Sequence, residues 1–256
     1  MGKIISVANQ KGGVGKTTTS INLAAALAGL GKKILLVDID PQGNATSGYG
    51  VEKGSLEDNT VYQLLLGECS VGQCTRRNVI EGVSLIPSNV HLAAAEIELA
   101  GEEKRDFILK EALDYVKDEY DYIFIDCPPS LSTLTVNAMT ASDSVLVPLQ
   151  CEYYALEGIS DLMHSINLVK RALNPKLSLE GVVFTMFDGR TNLSAQVVEN
   201  VRENLDQHIF NTVIPRNIRL AEAPSYGEPI ITYDPVSTGA KSYNALAEEL
   251  IKKNEA

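Results

Sequence analysis

Basic residues are the minority in this chain: 22 Lys and Arg stand against 33 Asp and Glu, a formal net charge of −11 over 256 residues. That balance argues against a general nucleic-acid binder, because phosphate backbones need a local basic surface. No apolar run approaches the roughly eighteen residues a membrane-spanning helix needs. No signal peptide is expected either, since the N-terminus leads directly into a strand. Met1-Gly2-Lys3-Ile4-Ile5-Ser6 fits the short myristoylation pattern, but Ile4 and Ile5 belong to that strand. Cysteines are few, and Cys69, Cys74, Cys127 and Cys151 form no C-x-x-C pair and no His spacing suited to zinc. They are expected to be buried, reduced thiols of a cytosolic protein. His91, His164 and His208 are isolated from one another, which suits structural or surface roles. No Ser/Pro/Gly-rich linker, repeat or low-complexity segment divides the chain, so a single domain over residues 1–256 is expected.

What is present is ample core material, 45% apolar residues, which excludes a disordered class. Short apolar runs alternate with helical patterns, the signature of βαβ units and a mostly parallel sheet with helices on both faces. The spacing predicts strands over 3–8, 34–39, 83–86, 121–126, 144–149, 181–187, 210–214 and 229–232. Helices are predicted over 16–29, 61–66, 89–99, 103–118, 132–140, 156–172, 194–205 and 240–253. Several strands are hydrophobic throughout, such as Ile34-Leu35-Leu36-Val37, as strands covered on both faces must be. Residues 41–82 are polar and Gly-rich and read as a surface excursion with a short helix.

The chemistry centres on Gln10-Lys11-Gly12-Gly13-Val14-Gly15-Lys16-Thr17-Thr18. This stretch follows the apolar run Ile4-Ile5-Ser6-Val7-Ala8 and opens an Ala/Leu-rich helix. Strand, glycine loop, helix is the context of a phosphate-binding loop. Glycines let the backbone approach a polyphosphate, and the loop and helix N-terminus aim N–H groups at the anion. Lys16 then reaches the β- and γ-phosphates of a nucleotide, and the Thr17 hydroxyl binds Mg²⁺. Gln10 stands where the motif has its first glycine, and Lys11 is an additional lysine at the loop's start. Two further strands end in carboxylates: Asp38-Ile39-Asp40-Pro41-Gln42-Gly43-Asn44, and Asp121 to Asp126 followed by Cys127-Pro128-Pro129. Ligands bind off the carboxyl ends of parallel strands, so both face the nucleotide. Asp126, closing a buried strand, reads as the Walker B aspartate that orients Mg²⁺ through a bound water.

Lys-Gly-Gly-Val-Gly-Lys-Thr-Thr resembles the deviant Walker A ATPases, which include the ParA/Soj partitioning proteins, the MinD division regulators and the nitrogenase iron-protein group. Asp-Pro-Gln-Gly-Asn and Asp-Cys-Pro-Pro-Ser look like switch I and switch II of the ParA/Soj branch. Asn44 to Gly48, Glu152 to Gly158 and Ala221 to Ser225 extend the resemblance over nearly the whole chain. It implies a P-loop ATPase that uses ATP and Mg²⁺ and dimerises on ATP binding. Lys11 would cross to the partner's nucleotide, Asp40 would position the attacking water, and Glu152 would touch the partner's nucleotide. Pro215-Arg216-Asn217 would contact adenine through backbone and amide. The resemblance also implies non-specific DNA binding, stimulation by a ParB-type centromere-binding partner, and a cytoplasmic, nucleoid-associated protein. Arg190 and Arg219 match DNA-contacting positions, and Arg216 and Lys241 would add to them; the 236–241 segment carries only Lys241, which implies a thin DNA surface. Two other readings stay open. A MinD-like regulator would need a longer basic amphipathic tail than the one reading Lys252-Lys253-Asn254-Glu255-Ala256. An iron–sulfur component would need a second ligand cysteine placed to act with Cys127.

Overall fold

The computed structural model describes residues 2–152 and 155–255; Met1, Tyr153, Tyr154 and Ala256 lie outside the described residues. In chain order the elements are β1 (Lys3–Val7), α1 (Lys16–Gly29), β2 (Ile34–Asp38), α2 (Asn44–Gly48), α3 (Val61–Leu65), α4 (Val71–Cys74) and β3 (Arg76–Ile80). There follow β4 (Val83–Ile86), α5 (Leu92–Glu98), α6 (Ile108–Asp114), β5 (Tyr122–Asp126), α7 (Thr133–Ala141), β6 (Ser144–Gln150) and α8 (Ala155–Ala172). The chain closes with β7 (Ser178–Phe187), α9 (Asn192–Asn204), β8 (Ile209–Pro215), α10 (Ile218–Glu222), α11 (Ile230–Tyr233) and α12 (Thr238–Glu255).

The strands form one eight-stranded sheet in the order β3-β4-β2-β5-β1-β6-β7-β8. All neighbours pair in parallel except β3 with β4. Side chains alternate across the pleat, and the burial follows: Ile123 and Ile125 of β5 join the core under α3 and α5 to α9, while Tyr122 and Phe124 join the core under α1 and α10 to α12. At the strand N-termini Glu180 is fully buried. It accepts from Lys3 Nζ at 2.6 Å, Lys253 Nζ at 3.0 Å and Ser144 Oγ at 2.5 Å. Burial opposes its ionisation, but these donors more than offset that and hold its carboxyl below the ordinary range. The C-terminal helix is thereby tied to the sheet at the end opposite the nucleotide loop.

Three expectations are corrected. Residues 229–232 are not a strand but the start of α11, because Pro229 is its N-cap and the Ile230 amide donates to Asn22 Oδ1 of α1 at 2.6 Å. The β8 edge that a further strand would need is already covered: Glu249 of α12 accepts from the Asn211 and Thr212 amides at 2.7 and 3.0 Å. Second, the single helix expected over 103–118 is broken into α6 between 3₁₀ turns at Arg105–Phe107 and Lys117–Glu119. Third, Cys69 and Cys74 are joined in a disulfide rather than free; the turn of α4, closed by reciprocal Ser70 and Gln73 bonds, brings the two together. Cys127 and Cys151 are buried free thiols, as expected.

Candidate functional site

The nucleotide loop lies between β1 and α1, at the carboxyl edge of the sheet. Gly13 and Gly15 adopt φ of 76° and 90°, in the left-handed region open to glycine. Gly15 caps α1 without a side-chain bond, so the helix's first N–H groups point into the loop. Thr185 of β7 donates to the Val14 carbonyl at 2.7 Å and fixes the loop from behind. Lys16 is 7% exposed and donates across the loop to the Lys11 carbonyl at 2.9 Å. Its ammonium is pushed below the ordinary lysine range by burial, against the opposing pull of Asp126, Cys127 and Asp40.

Gly12, Gly13, Gly15, Lys16, Thr17 and Thr18 line a cleft of about 360 Å³ together with Asp40 and Asn44. Beneath it Asp126, fully buried, accepts from Thr17 Oγ1 at 2.8 Å and Ser20 Oγ at 2.7 Å. Burial, then the charge of neighbouring Asp38, pushes the Asp126 carboxyl up to about 7, while the Ser20 and Thr17 hydroxyls hold it down. Asp38 is likewise pushed up to about 6 by burial, opposed by bonds from Thr46 and the Asp40 amide. The two stand side by side because Asp38 and Asp126 are register partners at the ends of β2 and β5. A hydroxyl and carboxylates, all oxygen donors, suit Mg²⁺, which takes one or two protein oxygens and completes its shell with phosphate and water. A divalent cation would also relieve the repulsion between these buried acids. The donor set therefore fits Mg²⁺, and Thr17 and Asp126 are the residues that could hold it.

A second, apolar cavity of about 330 Å³ adjoins the cleft, sharing Gly15, Thr18 and Met186 with it and adding Ile214, Pro215, Arg216 and Asn217. Pro215 to Asn217 are thus next to the phosphate loop. Asn217's amide group is already engaged: Oδ1 accepts from the Arg219 amide and Nδ2 donates to Thr238, both at 2.8 Å. A base in this cavity would meet the backbone of 215–217 and the apolar wall. Met186 at the seam, with φ of 51°, was not legible as a site residue; the only signal was its place near the carboxyl end of a parallel strand.

Lys11 and Glu152 form an ion pair within the chain, both partly exposed, at the loop's rim. Two of the basic residues expected at DNA, Arg190 and Arg219, are also paired. Arg190 grips Asp188 through two bonds, at 2.8 and 2.7 Å, and that grip pulls the Asp188 carboxyl down to about 2. Arg219 bonds Glu222 at 2.9 Å and lies 3.4 Å from Asp234. Arg216 is exposed beside the apolar cavity, and Lys241 is exposed on α12.

The AAA-domain family model matches residues 2–179. The chain is 56% identical to the sporulation initiation inhibitor protein Soj of Bacillus subtilis (strain 168), over 98% of each sequence. It is 51% identical to the chromosome partitioning protein ParA of Myxococcus xanthus (strain DK1622), over 99% of this chain and 89% of that one. Among solved structures, cobyrinic acid a,c-diamide synthase from Mycobacterium smegmatis, with bound ATP analog and magnesium, matches with a TM-score of 0.88 at 36% identity, over 100% of this chain and 97% of that one. No described helix is long and apolar enough to cross a membrane.

Proposed function

The chain belongs to the ParA/Soj family of chromosome-partitioning ATPases, and from that premise we propose that it is one ATPase domain whose ATP-bound form dimerises, binds DNA without sequence preference, and is reset by hydrolysis. The observation that carries this reading is the cleft that joins the phosphate loop, Asp40 and the apolar cavity at 215–217 in one continuous site. The amides of Gly12 to Thr18 and the Lys16 ammonium bind the phosphates. Thr17 and Asp126 hold Mg²⁺, which neutralises phosphate charge when bound. Asp40, on the cleft wall, orients the attacking water, and the backbone of Pro215 to Asn217 receives the base.

Dimerisation uses Lys11. Its ammonium leaves the exposed pair with Glu152, an inexpensive step for a solvated ion pair, and reaches the partner's phosphates; Glu152 is freed to face the same nucleotide. Two aligned copies of Arg190, Arg216, Arg219 and Lys241 then supply phosphate contacts that one copy offers too sparsely. The protein is cytoplasmic and nucleoid-associated in this reading, and a ParB-type centromere-binding protein stimulates hydrolysis. Gel filtration with ATP and Mg²⁺ tests the switch: Asp40→Ala should run as a persistent dimer without turnover, and Lys11→Ala as a monomer that also fails to hydrolyse. A Lys11→Ala protein that dimerises normally would refute the role of that lysine.

A further inference from the structure

Asp40 does not stand alone on its loop. Its amide donates to Asp38 Oδ1 at 3.2 Å, and its carbonyl accepts from Ser88 Oγ and from the Gly43 amide, each at 2.8 Å. Thr46 closes the ring. Its hydroxyl donates to Asp38 Oδ2 at 2.7 Å and accepts from the Ser88 amide at 2.9 Å, while its own amide donates to Asp38 Oδ2 at 2.8 Å. Asp38, Thr46 and Ser88 are all 0% exposed, and Asp40 is 7% exposed. Ser88 arrives from just beyond β4, which pairs with β2 with Ile86 beside Val37. A segment outside the motif stretches therefore holds the carbonyl of Asp40, while Asp38 holds its amide.

We propose that Thr46 and Ser88 are positioning residues for hydrolysis, setting where the Asp40 carboxylate stands without touching nucleotide themselves. The inference rests on the reading of Asp40 as the water-orienting group. Neither residue lines the nucleotide cleft among the described residues, so both act through Asp38 and the Asp40 main chain. Filling space does not explain the hydroxyl of Thr46, because valine has the same shape. What valine cannot supply is the bond to Asp38 or the acceptor for the Ser88 amide, and buried groups left unpaired draw the surrounding chain out of place. A displacement on the order of 1 Å at a reacting centre costs up to about a hundredfold in rate. The ring is thus a device against such drift, built from the end of β4, one of the two strands that flank β2.

The test is steady-state ATP hydrolysis by the full chain with Ser88→Ala, Thr46→Val, Thr46→Ser and Asp40→Ala, alongside titration with a fluorescent ATP analogue and thermal unfolding. Ser88→Ala and Thr46→Val should lower kcat roughly ten- to a hundredfold, with KM and nucleotide affinity unchanged. Thr46→Ser, which keeps the hydroxyl, should restore turnover. Ser88→Ala removes a single hydroxyl and gives a reading even if the valine variant does not fold. Loss that appears in KM and melting temperature alike, without rescue by Thr46→Ser, would mean a structural role only and overturn the proposal. If Asp40→Ala is inactive while Ser88→Ala and Thr46→Val turn over at the native rate, the positioning role alone fails. Native turnover by Asp40→Ala would instead overturn the reading of Asp40 on which it rests.

Discussion

Replacing Asp126 by asparagine keeps the shape of the side chain and removes a charge from the most enclosed part of the site. The native carboxyl titrates at about 7, raised first by burial and next by Asp38, whereas an exposed aspartate titrates near 3.9. A folded pKa above the unfolded one stabilises the native state fully below about pH 4. That contribution is lost as pH rises toward 7, and above 7 the nucleotide-free protein carries the whole cost of the ionised acid. At about 1.36 kcal/mol per pH unit the gap is worth ~4 kcal/mol as a ceiling. Asparagine forfeits part of the bonds from Thr17 and Ser20, about 1–2 kcal/mol. The net gain is then ~2–3 kcal/mol at pH 8 and close to zero at pH 5. For a chain of this size that is roughly 5–10 °C in melting temperature. Thermal unfolding of Asp126→Asn and wild type at both pH values, without nucleotide or Mg²⁺, reads this directly. The same variant should lose Mg²⁺-dependent hydrolysis. A variant less stable than wild type at pH 8, or one with equal gains at both pH values, would refute the electrostatic account of the site.

Lys16→Ala should weaken ATP binding tenfold or more, about 1.4 kcal/mol upward, because a cation leaves a triphosphate site; unchanged titration with a fluorescent ATP analogue would contradict the loop assignment. Asp188→Ala should strengthen DNA binding, since it releases Arg190 from a two-bond grip. Arg190→Ala should weaken binding on every sequence and flatten the log K against log salt slope by about one for each phosphate no longer neutralised. Equal affinities for the Asp188→Ala and native dimers across a salt series would show that Arg190 does not meet phosphate.

The parts legible in the sequence were those with strong local signals. Ile4 to Val7 running into Gly12 and Gly13 identified strand, loop and helix together. Asp40 and Asp126, each at the end of an apolar run, were placed at one sheet edge by the rule for parallel strands. Arg76 to Ile80 was missed because β3 is a charged, exposed edge strand, irregular at Asn78 with φ of 52°, and shows no alternation to read. Pro229 to Thr232 looked like a strand because four residues do not distinguish short helices from strands; Asn22, over two hundred positions away, decides it. The Cys69–Cys74 bond was missed for a related reason, since spacing alone does not show which way a capped turn will aim two thiols. Thr46 and Ser88 had no visible role because that role lies in a hydrogen bond between segments 42 positions apart. The pairing of Arg190 and Arg219 with carboxylates is likewise a matter of geometry, and in the proposed reading a DNA phosphate would have to displace an existing partner.

In the proposed reading, ATP-driven pairing creates the DNA-binding surface on a chain whose net charge of −11 opposes it. The direct measurement is retention of the Asp40→Ala protein on immobilised random-sequence duplex DNA, with ATP and with ADP, across a salt series. Binding is expected with ATP and not with ADP, on any sequence, and should fall steeply as salt rises. An ATP-bound Asp40→Ala dimer with no DNA affinity even at low salt would contradict it.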